Sequence, residues 1–187
     1  MSSSNHLNET PVIHIIDDEE SVRDSCAFLI SSLGLSTQTW DSALTFLQQV
    51  DIYAPAVVIS DLMLPDMSGQ ELQIHLNKQQ SPIALIALTG NGEIADAVAM
   101  LKNGAVDYLE KPIGIQRLQE AIQQAQTLTL KRAKLYYIRT LYAQLTDKEK
   151  QVAHELMQGN LNKNIADHLE VSMRTIEVHR AQVMKKM

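Results

Sequence analysis

The sequence predicts an α/β fold: a doubly wound, five-stranded parallel sheet, followed by a linker helix and a small all-α domain. Three observations predict it. Five short apolar runs alternate with helix-period patterns before residue 125, joined by short links. The best of these runs, Val57 to Ser60, is β-branched, lies between Pro55 and Pro65, and reads as a strand buried on both faces. After residue 145 no strand-like run remains, and three short helical patterns follow one another.

The elements follow in order. Residues 1–10 are Ser- and Asn-rich, without a basic patch or an apolar core, so they read as a disordered tail and not a signal peptide. Val12 to Ile16 is the first strand and runs into Asp17, Asp18, Glu19 and Glu20. Val22, Cys26, Phe28, Leu29, Ile30 and Leu33 recur at helical spacing, and Gly34 stops that helix. Leu35 to Thr39 is a short polar strand of the kind found at an edge. Asp41 is expected to cap a helix holding Ala43, Leu44, Phe46 and Leu47. The central strand ends abruptly in Asp61. Ser68 and Glu71 make a capping box for a helix through Lys78. Ile83 to Leu88 is the fourth strand and ends in Thr89 and Gly90. Ile94, Val98 and Leu101 mark the next helix. Ala105 to Leu109 is the fifth strand, ending in Glu110, Lys111 and Pro112, and a helix starts near Ile115.

From Leu118 to Leu145 there is no Gly or Pro, which predicts one continuous helix leaving the first module. Thr146 and Glu149 form a second capping box, and Gly159 ends that helix. Ile165, Ala166 and Leu169 mark a short helix, and Ser172 caps a third. A tight turn between the last two fits a helix-turn-helix. Ile176, Val183 and Met184 read as its core.

Composition narrows the function. Of 187 residues 45% are hydrophobic, enough for one domain or two small ones. The single cysteine, Cys26, excludes an internal disulfide framework and favours a reducing, cytoplasmic setting. No apolar run approaches the ~18 residues of a membrane span. Residues 1–124 carry 16 acids and 5 bases, whereas residues 125–187 carry 6 and 11, so an acidic module precedes one suited to a polyanion.

Reactive groups in an open parallel sheet sit beyond the carboxyl ends of its strands, and the first and third strands meet at the switch point. Asp17, Asp18 and Asp61 are therefore expected to converge. Three close carboxylates repel unless a cation joins them, and hard oxygen ligands suit Mg²⁺. A carboxylate beside Mg²⁺ can accept a phosphoryl group. Thr89 supplies a hydroxyl and Lys111 an ammonium at neighbouring strand ends.

With Asp17-Asp18, Asp61, Thr89-Gly90 and Lys111-Pro112 at these places, the chain resembles a two-component response regulator. The type is FixJ-like, with a flavodoxin-like receiver domain and a LuxR-type DNA-binding domain. The resemblance implies that Asp61 takes phosphate from a sensor histidine kinase. It implies that Asp17, Asp18, Asp61 and the Met63 carbonyl bind Mg²⁺, and that Thr89 and Lys111 hold the phosphate. Thr89 and Tyr108 would act as a switch that reshapes the face around Ile94 to Tyr108 and promotes a homodimer. Lys111-Pro112 would be cis. Domain limits follow as 11–125 for the receiver, 126–143 for the linker and 144–187 for the helix-turn-helix.

The second module resembles the LuxR type through Thr146, Glu149, Gly159, Asn162-Lys163, Ile165-Ala166, Leu169, Ser172, Arg174-Thr175-Ile176-Glu177 and His179-Arg180. Glu177, Val178 and Ala181 are expected to face bases of double-stranded DNA. Lys163, Arg174, Thr175, Arg180 and Lys185 are expected at phosphates. Asn160-Leu161 departs from the usual pair after the glycine. The sequence given also ends at Met187, before the family's last helix, which leads one to expect weaker DNA affinity and a second module prone to local opening. Two other readings compete. An aspartyl phosphatase needs a second acid two residues beyond Asp61, where Met63 stands. A phosphorylation-independent DNA-binding regulator would be expected to have a broken acid cluster.

Overall fold

The computed structural model describes residues 10–90 and 94–187, and the chain divides into two units between Lys134 and Leu135. The expected tail lies, but for Thr10, outside the described residues.

The first unit is built on β1 (Val12–Ile16), β2 (Thr37–Trp40), β3 (Ala56–Asp61), β4 (Ala84–Thr89) and β5 (Asp107–Glu110). All pairings are parallel, in the order β2-β1-β3-β4-β5. β1 and β3 are thus neighbours, with Ile16 opposite Ser60, so the acids that follow both strands emerge side by side. β3 and β4 are buried along their whole length. The pleat sends Ile13, Ile15, Val57, Ile59, Ile86 and Leu88 to one face, against α1 (Glu20–Ser32) and α5 (Ile115–Ala143). Ile16, Val58, Leu85 and Ala87 line the other face, against Phe46 of α2 (Ala43–Gln49), Leu72 and Leu76 of α3 (Gly69–Lys78), and Met100 of α4 (Ile94–Lys102). Helices on both faces explain why the strands read as unbroken apolar runs.

Three local expectations need correction. The α2 cap is Ser42 and not Asp41: its extended backbone lets its Oγ accept from the Thr45 amide at 3.1 Å. Asp66 then takes the Leu44 amide at 2.8 Å and the Ser42 hydroxyl at 3.0 Å, tying the β3–α3 loop to α2. Phe28, read with the α1 apolar residues, is 73% exposed, because it stands two residues from both buried Cys26 and Ile30 and so projects from the opposite side of the helix. The second and fifth strands each begin two residues later than expected, at Thr37 and Asp107.

The Gly- and Pro-free stretch is one helix up to Ala143, the last part of the 29-residue α5. Its middle is fastened to the first unit. The Thr129 hydroxyl accepts from the Ala56 amide at 3.1 Å, and Arg132 donates to the carbonyls of Ile83 (3.1 Å) and Gly104 (3.3 Å).

The second unit holds α6 (Asp147–Met157), α7 (Asn162–His168) and α8 (Met173–Lys186). Val152, Ile165, Ala166 and Ile176 form its core, and Leu145, Ala153 and Val183 a smaller cluster. Gly159 leaves α6 at φ 81°, a conformation open to glycine at no steric cost. The capping box of Thr146 and Glu149 is made, and Lys186 at the far end of α8 pairs with Glu149 at 2.6 Å. Met184, expected in the core, is 69% exposed, since it lies off the line joining Ile176 to Val183.

Candidate functional site

The acids gather as the topology requires. Asp17, Asp18 and Asp61 each place a carboxylate oxygen within 4.8 Å of those of the others. Asp61 closes β3 with its side chain 11% exposed, while the Asp17 side chain is fully buried. Lys111 reaches in from the end of β5, with its Nζ 2.6 Å from Asp61 Oδ2 and 2.8 Å from Asp17 Oδ2. Burial alone would lower the Lys111 pKa. The hydrogen bonds to Asp17 and Asp61 and the charges of both outweigh it, and the pKa is raised. Burial raises the Asp17 carboxyl even against Lys111 and the Glu19 amide, which donates to Asp17 Oδ1 at 3.0 Å. One ammonium and one amide therefore do not fully offset the cost of burying the Asp17 carboxylate.

The donor set is all hard oxygen, which suits a small divalent cation and not a soft one. Asp17, Asp18 and Asp61 would hold it, and the Met63 backbone stands beside them, its amide donating to Asp61 Oδ1 at 3.0 Å. α3 presses on the same backbone: a Cβ added to Gly69 would come within 2.6 Å of the Asp61 carbonyl oxygen. Only glycine permits that approach.

Thr89 ends β4 and is 4% exposed; its carbonyl accepts from the Lys111 amide at 2.9 Å, joining the two strand ends. Lys111-Pro112 is cis, as expected. Tyr108 lies on edge strand β5, 37% exposed, and Val98 of α4 is 42% exposed. The face expected to rearrange runs from Ile94 to Tyr108, and the loop before it, residues 91–93, lies outside the described residues. Cys26 is buried in the apolar core between α1 and the sheet, and burial followed by the charge of Asp17 pushes its thiol up to about 11, which makes it a packing residue and not a nucleophile.

In the second unit, Arg174, Glu177, Val178, Ala181 and Lys185 are all exposed and recur at three- and four-residue spacing, so they share one side of α8. Thr175 is half-buried and its hydroxyl is engaged with Ser172 at 2.8 Å. Lys163 is exposed on the first turn of α7. Arg180 points elsewhere: its Nη1 donates to Asn162 Oδ1 at 3.0 Å, linking α8 to α7. Sequence reasoning missed Gln182, exposed beside Val178, and Arg23, whose Nη1 donates to the carbonyls of Asp17 (2.7 Å) and Asp18 (3.0 Å). The signal for Arg23 was present: a basic residue on the helix that follows an acid pair.

Comparison with known proteins agrees with this arrangement. Residues 13–123 match the response regulator receiver domain, and residues 143–187 match the bacterial regulatory proteins of the luxR family. The chain is 39% identical over 175 residues to the tetrathionate response regulatory protein TtrR of Salmonella typhimurium, spanning 94% of this chain and 85% of that one. It is 40% identical over 179 residues to the transcriptional regulatory protein FixJ of Bradyrhizobium diazoefficiens, spanning 94% and 87%. Among solved structures, the response regulator StyR aligns at a TM-score of 0.73 with 33% identity over 95% of this chain and 92% of that one. Full-length FixJ from B. japonicum aligns at 0.57 with 38% identity over 96% and 91%. No helix among the described residues is long and apolar enough to cross a membrane. The relatives are regulators and not phosphatases, and the chain belongs with them to the two-component response regulators, with a receiver domain followed by a LuxR-type DNA-binding domain.

Proposed function

We propose that Asp61 is the phosphoacceptor, and that its modification by a sensor histidine kinase controls binding of the second domain to double-stranded DNA in the cytoplasm. The observation that carries this is the convergence of Asp17, Asp18 and Asp61, with Lys111 between two of them. Asp17, Asp18, Asp61 and the Met63 carbonyl would hold Mg²⁺, which supplies charge neutralisation for an incoming phosphoryl group. A carboxylate oxygen of Asp61 attacks phosphorus, the bond from phosphorus to the kinase histidine nitrogen breaks, and that nitrogen keeps the electron pair. Lys111 exchanges its bond to Asp61 Oδ2 for one to a phosphoryl oxygen, and the Thr89 hydroxyl donates to another. Thr89 and Tyr108 then rearrange together, and the face around Ile94 to Tyr108 pairs two copies.

On the DNA side, Glu177, Val178 and Ala181 would meet base edges, and Lys163, Arg174, Thr175 and Lys185 phosphates. Arg180 keeps donors beyond the one given to Asn162 and would add a phosphate contact from there. We take 11–125 as the receiver, 126–143 as the linker helix and 144–187 as the DNA-binding domain.

The test is incubation with a small acyl phosphate and Mg²⁺, read by intact mass, for the wild type and Asp61→Asn. The wild type should gain one phosphoryl group and the variant none; a variant that still gains one places the acceptor elsewhere. DNA affinity measured with and without the donor separates this reading from a phosphorylation-independent regulator. Arg174→Ala should weaken binding to all sequences alike and reduce the salt slope by about 1.

A further inference from the structure

The structure assigns Arg23 a role as the positioning residue for Asp18 in the cation site, an inference that rests on the proposed function. Asp17 and Asp18 are adjacent but held very differently. Asp17 is fixed at four atoms. Its amide donates to the Trp40 carbonyl at 3.2 Å, its Oδ1 accepts from the Glu19 amide, its Oδ2 from Lys111 and its carbonyl from Arg23. Asp18 is exposed, and among the described residues its one hydrogen bond is that from Arg23 Nη1 to its carbonyl at 3.0 Å.

Arg23 is well placed for this. It lies in the first turn of α1, where its amide donates to the Glu19 carbonyl at 3.1 Å, so its backbone is part of a regular helix. It is half-buried, and among the described residues no carboxylate pairs with its guanidinium. One nitrogen carries two hydrogens and bridges two successive carbonyls. With both carbonyls turned toward α1, the residue that follows β1 is held in one conformation. That leaves the Asp18 carboxylate within reach of Asp17 and Asp61. Without the bridge the loop is free to relieve carboxylate repulsion by swinging Asp18 into solvent, and the cation must then pay the ordering entropy on binding.

The experiment is Mg²⁺ titration of the full chain by calorimetry, for wild type, Arg23→Met, Asp18→Asn and the double variant. Arg23→Met should weaken Mg²⁺ binding on the order of tenfold, the scale of one charge-assisted hydrogen bond. Since Arg23 acts through Asp18, it should weaken Asp18→Asn further by much less than it weakens the wild type. In phosphorylation by a small acyl phosphate, the half-saturating Mg²⁺ concentration should rise more than the maximal rate falls. Arg23→Lys has a shorter reach, should lie between wild type and Arg23→Met, and serves where the methionine variant does not fold. Unchanged Mg²⁺ affinity in both single Arg23 variants, or losses that simply add with Asp18→Asn, would overturn the assignment while leaving the phosphoacceptor reading intact. A wild type that binds no Mg²⁺ would overturn both.

Discussion

His14 makes the stability of the first domain depend on pH in a calculable way. It sits on β1, 4% exposed, packed edge-on against Phe46 with ring centroids 5.2 Å apart. Trp40 Nε1 donates to its Nδ1 at 3.1 Å, a bond that only an unprotonated Nδ1 can accept. Burial lowers the His14 pKa from 6.5 to about 4. The folded state thus takes up the proton less readily than the unfolded chain. Stability is complete above pH 6.5, falls as pH drops from 6.5 to about 4, and is level below that. The gap is worth roughly 3 kcal/mol across the window. Urea unfolding followed by the fluorescence of Trp40, the only tryptophan, measures it. His14→Leu keeps an apolar side chain of similar size and removes the titration, while half-buried Trp40 can turn its N–H to water. Carboxylates titrate in both chains and cancel in the difference. The wild type should lose roughly 3 kcal/mol more than the variant between pH 7 and 4. Parallel stability curves would refute the reasoning.

Two further outcomes follow from the acid site. Gly69→Ala places a Cβ against the Asp61 carbonyl and should cost about 1–3 kcal/mol by overpacking, with slower phosphorylation, both read by chemical unfolding and intact mass. Lys111→Met leaves Asp17 and Asp61 facing each other without their ammonium, so the Mg²⁺-free protein should lose about 1–3 kcal/mol. Added Mg²⁺ should raise its melting temperature by more than it raises that of the wild type, and equal shifts would argue against a shared site.

The parts of this fold that were legible in the sequence are those set by strong local signals. β3 and β4 are buried on both faces, so they stand out as apolar runs whatever surrounds them. The meeting of Asp17 and Asp61 was legible too, because right-handed crossovers leave few strand orders and the doubly wound one puts β1 beside β3. What escaped depended on partners far along the chain. Ser42 rather than Asp41 caps α2 because Asp66, 24 residues later, lies against that helix start. The exposure of Met184 reflects how much of α8 its neighbours cover, which periodicity does not encode, whereas that of Phe28 follows from its place two residues from both Cys26 and Ile30, on the opposite side of α1. Arg23 was passed over because a basic residue after an acid pair gains meaning only once its partners, two main-chain carbonyls, are seen, and the bond from Arg180 to Asn162 likewise leaves no trace in composition.

The grip of α5 on the first unit has a practical consequence for dissecting the protein. The family match stops at residue 123, yet Thr129 and Arg132 satisfy an amide at the start of β3 and carbonyls flanking β4 and β5. An excised receiver cut at the family limit would carry an orphaned donor at the root of the very strand that bears Asp61. Extending the fragment to Lys134 restores it. Hydrogen exchange at the Ala56 amide should be fast in the shorter fragment and slow in the longer one.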